Sequence, residues 1–422
     1  MLYLPKGQTI LIWGCGNAGT KIIADYGQDY KIHCLMDRKI RVGEKSEYMG
    51  YNLYNPEDAL KELPVSSVVV IAMYQWEEAA KELEDRGLNL LESYIVLPQF
   101  EYTSIDISCL SILPKAMNIT SYIKKLAKGK KIAATYGLCH MVRYKKVLED
   151  SRQFSNEYIF LDLPTLNNIQ STSHRLLKKE ELWKLCDVVL YSKNRFIEAY
   201  DVPNPKEILN FLKSDCNVIS ITSAAFKGYF PQHKTLDSDI VEIKDFITWG
   251  DKNIDKMMKE GKTENDISNT ILSVDFYKKD RVEAFFENAL MILQEDEKNC
   301  DIRIADYIRK NYKTVLLYYS STHPTANVLV EIARRICQKL EIADVDFDKY
   351  YEDEFFRMDI HEELIYPSVY SVLNIDNNSR KINPGNYYKG KLSANEYIKE
   401  YVYLCQQSRE KPVKKLQNVS PC

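Results

Sequence analysis

Apolar positions in this chain fall into short continuous runs, separated by amphipathic or turn-rich stretches. Over the first hundred residues the runs are 9–13 (TILIW), 30–36 (YKIHCLM), 67–73 (SVVVIAM) and 94–97 (YIVL). Each reads as a strand buried on both faces, as in a parallel sheet covered by helices. The segments between them carry helical spacing, at 21–26 and at 76–86, where Glu/Lys pairs sit one turn apart. Asn55-Pro56-Glu57-Asp58 is a helix start, with Asn as cap, Pro in the first position and acids in the first turn.

Between the first two runs lies Gly14-Cys15-Gly16-Asn17-Ala18-Gly19, with Asp37 at the end of the second run. This is a GxGxxG in its proper setting, strand before and helix after, with an acid at the next strand end. It predicts a Rossmann-like unit over 1–103. Gly14, Gly16, Asn17 and Gly19 are its candidate phosphate-binding positions, and Asp37 its candidate ribose partner. The ligand would be a nucleotide, NAD(P) or a nucleotide sugar, unless the glycines serve packing alone.

A second series of runs follows a connector at 104–117 and a helix at 118–128 that Gly129 ends. Its strands are predicted at 132–136, 158–163, 187–191, 217–222 and 314–319. Ligands of parallel sheets sit at the carboxyl ends of strands. The residues after these runs are polar and varied: Gly137-Leu138-Cys139-His140, Pro164 to Asn168, Ser192 to Arg195, Phe226 to His233, and Ser320 to Thr325. The first turn is the richest. Gly137 permits a sharp turn into a basic helix, whose unpaired amides and positive dipole end favour an anion. Cys139 and His140 stand there, with Arg143, Lys145 and Lys146 within two turns.

At the last strand end, Pro324 is placed at the first position of a helix over 325–340, which puts His323 at its cap. The dipole of that helix would favour the neutral, basic form of the imidazole. The charged stretch 234–311 reads as a helical insertion over the sheet. Beyond 345 the pattern changes to an acidic and aromatic segment, a turn-rich one at 381–391, and a loose tail at 411–422. The expected fold class is therefore α/β, with two tandem parallel-sheet domains (1–103 and 118–345) and a C-terminal extension (346–422) without a functional reading.

Charge narrows the classes. Lys and Arg number 57 against 60 Asp and Glu, which argues against a dedicated nucleic-acid binder. Ten cysteines occur without a CxxC pair, so neither a zinc ribbon nor a disulfide scaffold is expected. No apolar run reaches the ~18 residues of a membrane span, and the N-terminus lacks a signal-peptide layout. A cytoplasmic location, no metal and no transmembrane segment are the expectations.

The segments ILIWGCGNAG (10–19), LMD (35–37), YNPEDAL (54–60) and VVVIAM (68–73) resemble the small Rossmann-like domains attached to sugar-modifying enzymes of bacterial polysaccharide clusters. The second half is similar to the WcbI family of capsular polysaccharide biosynthesis enzymes, over about 130–345. The motifs that carry this are ATYGLCH (134–140), GYFP (228–231) and THPTANVLVEIARRI (322–336). The family's turn is usually Gly-Asn-Cys-Gln; here Leu138 and His140 replace the two amides.

The resemblance implies coenzyme A binding and acyl (acetyl) transfer to a sugar hydroxyl, with acetyl-coenzyme A as donor and a sugar or glycan as acceptor. On that reading Gly137, Leu138, Arg143 and Lys146 hold the cofactor. Cys139, His323 and His140 are the catalytic candidates, and Asn167, Lys227, Tyr229 and Thr325 line the acceptor site. Two mechanisms stay open: direct transfer with His323 as base, or a covalent acyl group on a Cys139 activated by the helix N-terminus and an imidazole. An ester or thioester hydrolase, and a non-catalytic scaffold of a polysaccharide assembly complex, are the alternatives. A homo-oligomer is also left open.

Overall fold

The computed structural model describes residues 7–73, 76–88, 93–96, 104–106, 120, 123–124, 127, 129–163, 177, 180–192, 205–235, 249–357, 362–375, 381–383 and 390–410. Asn167 and the 411–422 tail lie outside them.

The first sheet has six strands: β1 (Thr9–Trp13), β2 (Lys31–Met36), β3 (Lys45–Tyr48), β4 (Tyr51–Tyr54), β5 (Val68–Ile71) and β6 (Tyr94–Val96). Their order is β3-β4-β2-β1-β5-β6, parallel throughout except for the β3–β4 hairpin. The unbroken apolar runs have a simple cause. Leu11 and Trp13 of β1 pack in the core on one face, and Ile10 and Ile12 in the core on the other. The helix Asn17–Tyr26 follows β1, and Asn55 caps Pro56–Ala59 by accepting from the Glu57 amide, as the sequence predicts.

The second sheet comprises β7 (Ser104–Asp106), β8 (Lys131–Tyr136), β9 (Tyr158–Asp162), β10 (Cys186–Ser192) and β11 (Asn217–Ile221). Its order is β11-β10-β8-β9-β7, with all pairs parallel. The segment expected as a connector therefore supplies an edge strand. Again the core is two-sided: Ala133, Val188 and Leu190 face the larger cluster, and Ile132, Ala134 and Val189 the smaller.

Two expectations need correction. The run 314–319 is not a fifth strand of this sheet. Leu317 and Tyr318 are fully buried, but the segment turns back on its own continuation, through a bridge between Tyr318 and Pro324 and a bond from the Thr325 amide to Leu317 O. Intrachain closure thus replaces sheet pairing. Because Pro324 is held extended by that bridge, the following helix starts at Ala326 with Thr325 as its cap, and His323 stands two residues outside it.

The charged stretch expected as an insertion holds helices Lys252–Lys259, Glu264–Ile271, Lys279–Asp296 and Ala305–Asn311. Their apolar faces join the larger core. So does the chain beyond 345: Tyr350, Phe356, Tyr366, Ile398 and Tyr401 are buried in that same cluster. The C-terminal helix Ala394–Glu410 packs on Glu264–Ile271. Among the described residues no helix is long and apolar enough to cross a membrane, and no group of His, Cys, Asp and Glu is arranged to hold a metal ion.

Candidate functional site

The site begins where β8 ends. Gly137 has φ +154°, and a Cβ there would meet Ser192 Cβ at 2.8 Å and Met141 Cγ at 2.9 Å. Only glycine lets β8 pass this close to the end of β10 and still turn into the helix Met141–Asp150. His140 opens that helix, and its ring is 3% exposed. Nε2 lies 3.3 Å from Ser192 Oγ, and the ring packs at 5.7 Å from Tyr144. Burial, with the nearby charges of Arg143 and His323, pushes its pKa down to about 3. His140 is thus a neutral imidazole that ties the turn to β10, unsuited to exchanging protons with a substrate near neutral pH.

Cys139 is half-buried. Burial pushes its thiol up, although the Arg143 guanidinium and the amides of Cys139 and His140 pull the other way. Burial thus opposes the activation expected from the helix start and an imidazole.

Arg143 lies one turn into the helix. Its guanidinium donates to Cys139 O at 2.8 Å and Phe355 O at 2.9 Å and sits 4.8 Å over the Phe355 ring. No carboxylate pairs with it among the described residues, and burial lowers its pKa. Lys146 is different: it pairs with Asp150, which also takes Lys349 and the Tyr350 hydroxyl. Leu138 packs against the smaller core.

The loop Tyr319–His323 borders the same edge. Its closure is internal, with Tyr319 N bonded to His323 O and His323 N to Ser320 Oγ. His323 is near enough to His140 for their charges to repel. Two acceptor-site candidates turn out to be structural. Tyr229 is fully buried among Phe226, Phe286 and Tyr318, with its hydroxyl at 3.4 Å from Tyr312 O. Thr325 is buried and donates from Oγ1 to Leu316 O. Neither offers a surface to a ligand. Lys227 is exposed.

Sequence reasoning passed over one pair. His233 Nδ1 lies 3.0 Å from Glu363 Oε2, and the two side chains are 6% and 7% exposed. Glu363 Oε1 accepts from the Ser321 amide at 2.7 Å, and the Glu363 amide donates to Tyr319 O. The only sequence signal was His233 at the end of a polar loop; its partner comes from a segment 130 residues on.

In the first sheet, Gly14 has φ +114° and a Cβ would meet Ala72 O at 2.6 Å; at Gly19 it would meet Gly14 O at 2.0 Å. Packing demands both. Gly16 is exposed and a Cβ there meets nothing within 4 Å. Asp37 accepts from the Lys39 amide at 2.9 Å. Asn17 opens the helix after the turn.

A cavity of about 830 Å³ shares no residue with the Gly137 turn. It opens beside β11 and is lined by charges already paired, among them Arg335 with Asp306 and Lys339 with Asp301.

The model of the polysaccharide biosynthesis enzyme WcbI family matches residues 133–345, half of the chain. The chain belongs to the WcbI family. The match runs from β8 through the Gly137 turn, the loop Tyr319–His323 and the helix after it. A solved structure of WcbI, described as a novel polysaccharide biosynthesis enzyme, shares the fold at 18% identity and a TM-score of 0.53. The alignment covers 67% of this chain and 91% of that one. That structure is described as the native protein without a disulfide bond between coenzyme A and one of its cysteines. Comparison with curated proteins returned no match.

Proposed function

We propose that this WcbI-family chain is an acyltransferase that moves an acyl group, acetyl in the simplest case, from coenzyme A to a sugar hydroxyl of a surface polysaccharide. The observation that carries the reading is Arg143. It is a half-buried guanidinium without a carboxylate partner among the described residues, one turn from Cys139, at the start of a helix on the carboxyl edge of a parallel sheet. Such a cation suits a phosphate-bearing ligand, and the neighbour's association with coenzyme A supports the same choice.

Coenzyme A supplies an activated thioester carbonyl when bound. The amides of Cys139 and His140 stand ready as donors to a developing oxyanion. An imidazole at this edge accepts the hydroxyl proton; His323 stands there, and so does His233. The raised thiol pKa of Cys139 favours direct transfer over a covalent intermediate. We take 118–345 as the catalytic unit and 1–103 as a nucleotide-binding unit, supported by Gly16, the one glycine of the GxGxxG for which packing gives no reason.

Titration calorimetry with coenzyme A and acetyl-coenzyme A tests the reading. Saturable binding that weakens in Arg143→Gln is expected. Absence of binding at millimolar ligand would sink it.

A further inference from the structure

We propose that His233, positioned by Glu363, is the base that takes the proton from the acceptor hydroxyl. Part of the reacting machinery then comes from a C-terminal segment beyond the family match. The inference rests on the acyl-transfer reading above.

Four observations meet here. The His233 ring is held through Nδ1, which donates to Glu363 Oε2 at 3.0 Å. That bond fixes the tautomer, so Nε2 carries the lone pair; it has no hydrogen-bond partner among the described residues. The second oxygen of Glu363 is held by the Ser321 amide at 2.7 Å, so the carboxylate cannot swing away. Ser321 is fully buried, and its hydroxyl has no partner among the described residues. Finally, the loop that Glu363 grips is the one bearing His323, and His323 lies beside His140 and the Cys139 turn. The pair therefore borders the edge where the donor is placed.

A carboxylate buried to this degree is costly unless it is paired. The described groups facing the pair are otherwise committed. Across the hairpin of β12 (His233–Thr235) and β13 (Trp249–Asp251), Asp251 accepts from the Asn253 and Ile254 amides and the Tyr366 hydroxyl. Lys234 pairs with Asp255. Trp249 packs its ring 5.0 Å from His233, and Tyr397 faces Glu363. The imidazole is the described side-chain partner of Glu363, and Glu363 would stabilise the imidazolium once it forms.

The step balances within the donor and acceptor already named. The acceptor O–H proton moves to His233 Nε2 as the oxygen bonds the thioester carbon. The C–S bond then breaks, and the departing thiolate takes the proton from the imidazolium. The ester and a free thiol are the products.

The test follows thiol release from acetyl-coenzyme A by the full chain, with coenzyme A affinity measured on the same samples. His233→Gln, Glu363→Gln and His323→Gln are compared with the wild type. His233→Gln should keep the affinity and lose about 10²–10⁴-fold in kcat. Glu363→Gln should lower kcat while keeping coenzyme A affinity, and Glu363→Asp should restore part of the rate; a purely structural pair would lose affinity and rate together. Wild-type kcat in His233→Gln across the neutral range overturns the proposal. A second arm does not depend on coenzyme A. Diethyl pyrocarbonate should modify His233 in the native protein. A His233 unreactive until the protein unfolds also overturns the proposal. Should coenzyme A neither bind nor turn over, the acyl-transfer reading is what fails, and this second arm alone decides the pair.

Discussion

His140 gives the turn a measurable pH signature. In the unfolded chain its imidazole titrates near the ordinary value of about 6.5. In the fold it is 3% exposed, lies beside Arg143 and His323, and has its pKa pushed down to about 3. Below pH ~6.5 the unfolded state therefore binds a proton that the native state refuses. The sign follows: this stability is fully present above the unfolded pKa and is lost as pH falls toward the folded one. The slope is about 1.4 kcal/mol per pH unit. Between pH ~6.5, where the unfolded imidazole is half protonated, and ~4.5 this integrates to about 2 kcal/mol, a sizeable part of the ~5–15 kcal/mol typical of a native protein. Other groups titrate in the same window, so the quantity to read is a difference between proteins. His140→Gln places there the residue usual in the family and keeps an amide to bond Ser192. Its denaturation midpoint should lie close to that of the wild type at neutral pH. As pH is lowered, the wild type should lose about 2 kcal/mol more than the variant over those two units. Urea denaturation at a series of pH values measures this. Parallel curves for the two proteins would refute the buried, neutral imidazole, and with it the argument that His140 takes no part in proton transfer.

Three further outcomes are expected. Gly137→Ala should destabilise by about 1–3 kcal/mol, the usual cost of overpacking, because its Cβ would press on Ser192 and Met141 at under 3.0 Å; chemical denaturation reads it. Cys139→Ala should keep kcat for thiol release within about tenfold of wild type, since direct transfer places no bond on sulfur, whereas loss on the scale of a missing nucleophile would restore the covalent route. Arg143→Gln should weaken coenzyme A by roughly tenfold to a hundredfold, the worth of one or two charge-assisted hydrogen bonds at about 1.5–3 kcal/mol, with an unchanged fold by circular dichroism.

Much of the fold was legible because parallel strands buried on both faces leave unbroken apolar runs, and the turns between them must be glycine or polar. β1, β5, β8 and β10 were readable for that reason, and so was the Gly137 turn. The run 314–319 misleads for the same reason: burial makes it apolar, and periodicity does not say whether its backbone bonds a neighbouring strand or its own continuation. Tyr229 shows the limit at the side-chain level. Its loop reads as polar surface, yet the aromatic cluster with Phe226 and Tyr318 draws it inward.

The site is less legible than the fold because its chemistry is assembled across sequence distance. Cys139, His140 and Arg143 share one turn and can be found together. Whether they are charged depends on burial, which no local pattern reports, and burial is what makes His140 neutral and the Cys139 thiol harder to ionise. The C-terminal extension makes the point most sharply. Read alone, 346–422 is acidic, aromatic and without a motif. Folded, it lays Phe355 against Arg143 and Glu363 against His233. A segment that packs on both Arg143 and His233 becomes readable only once those partners are in place.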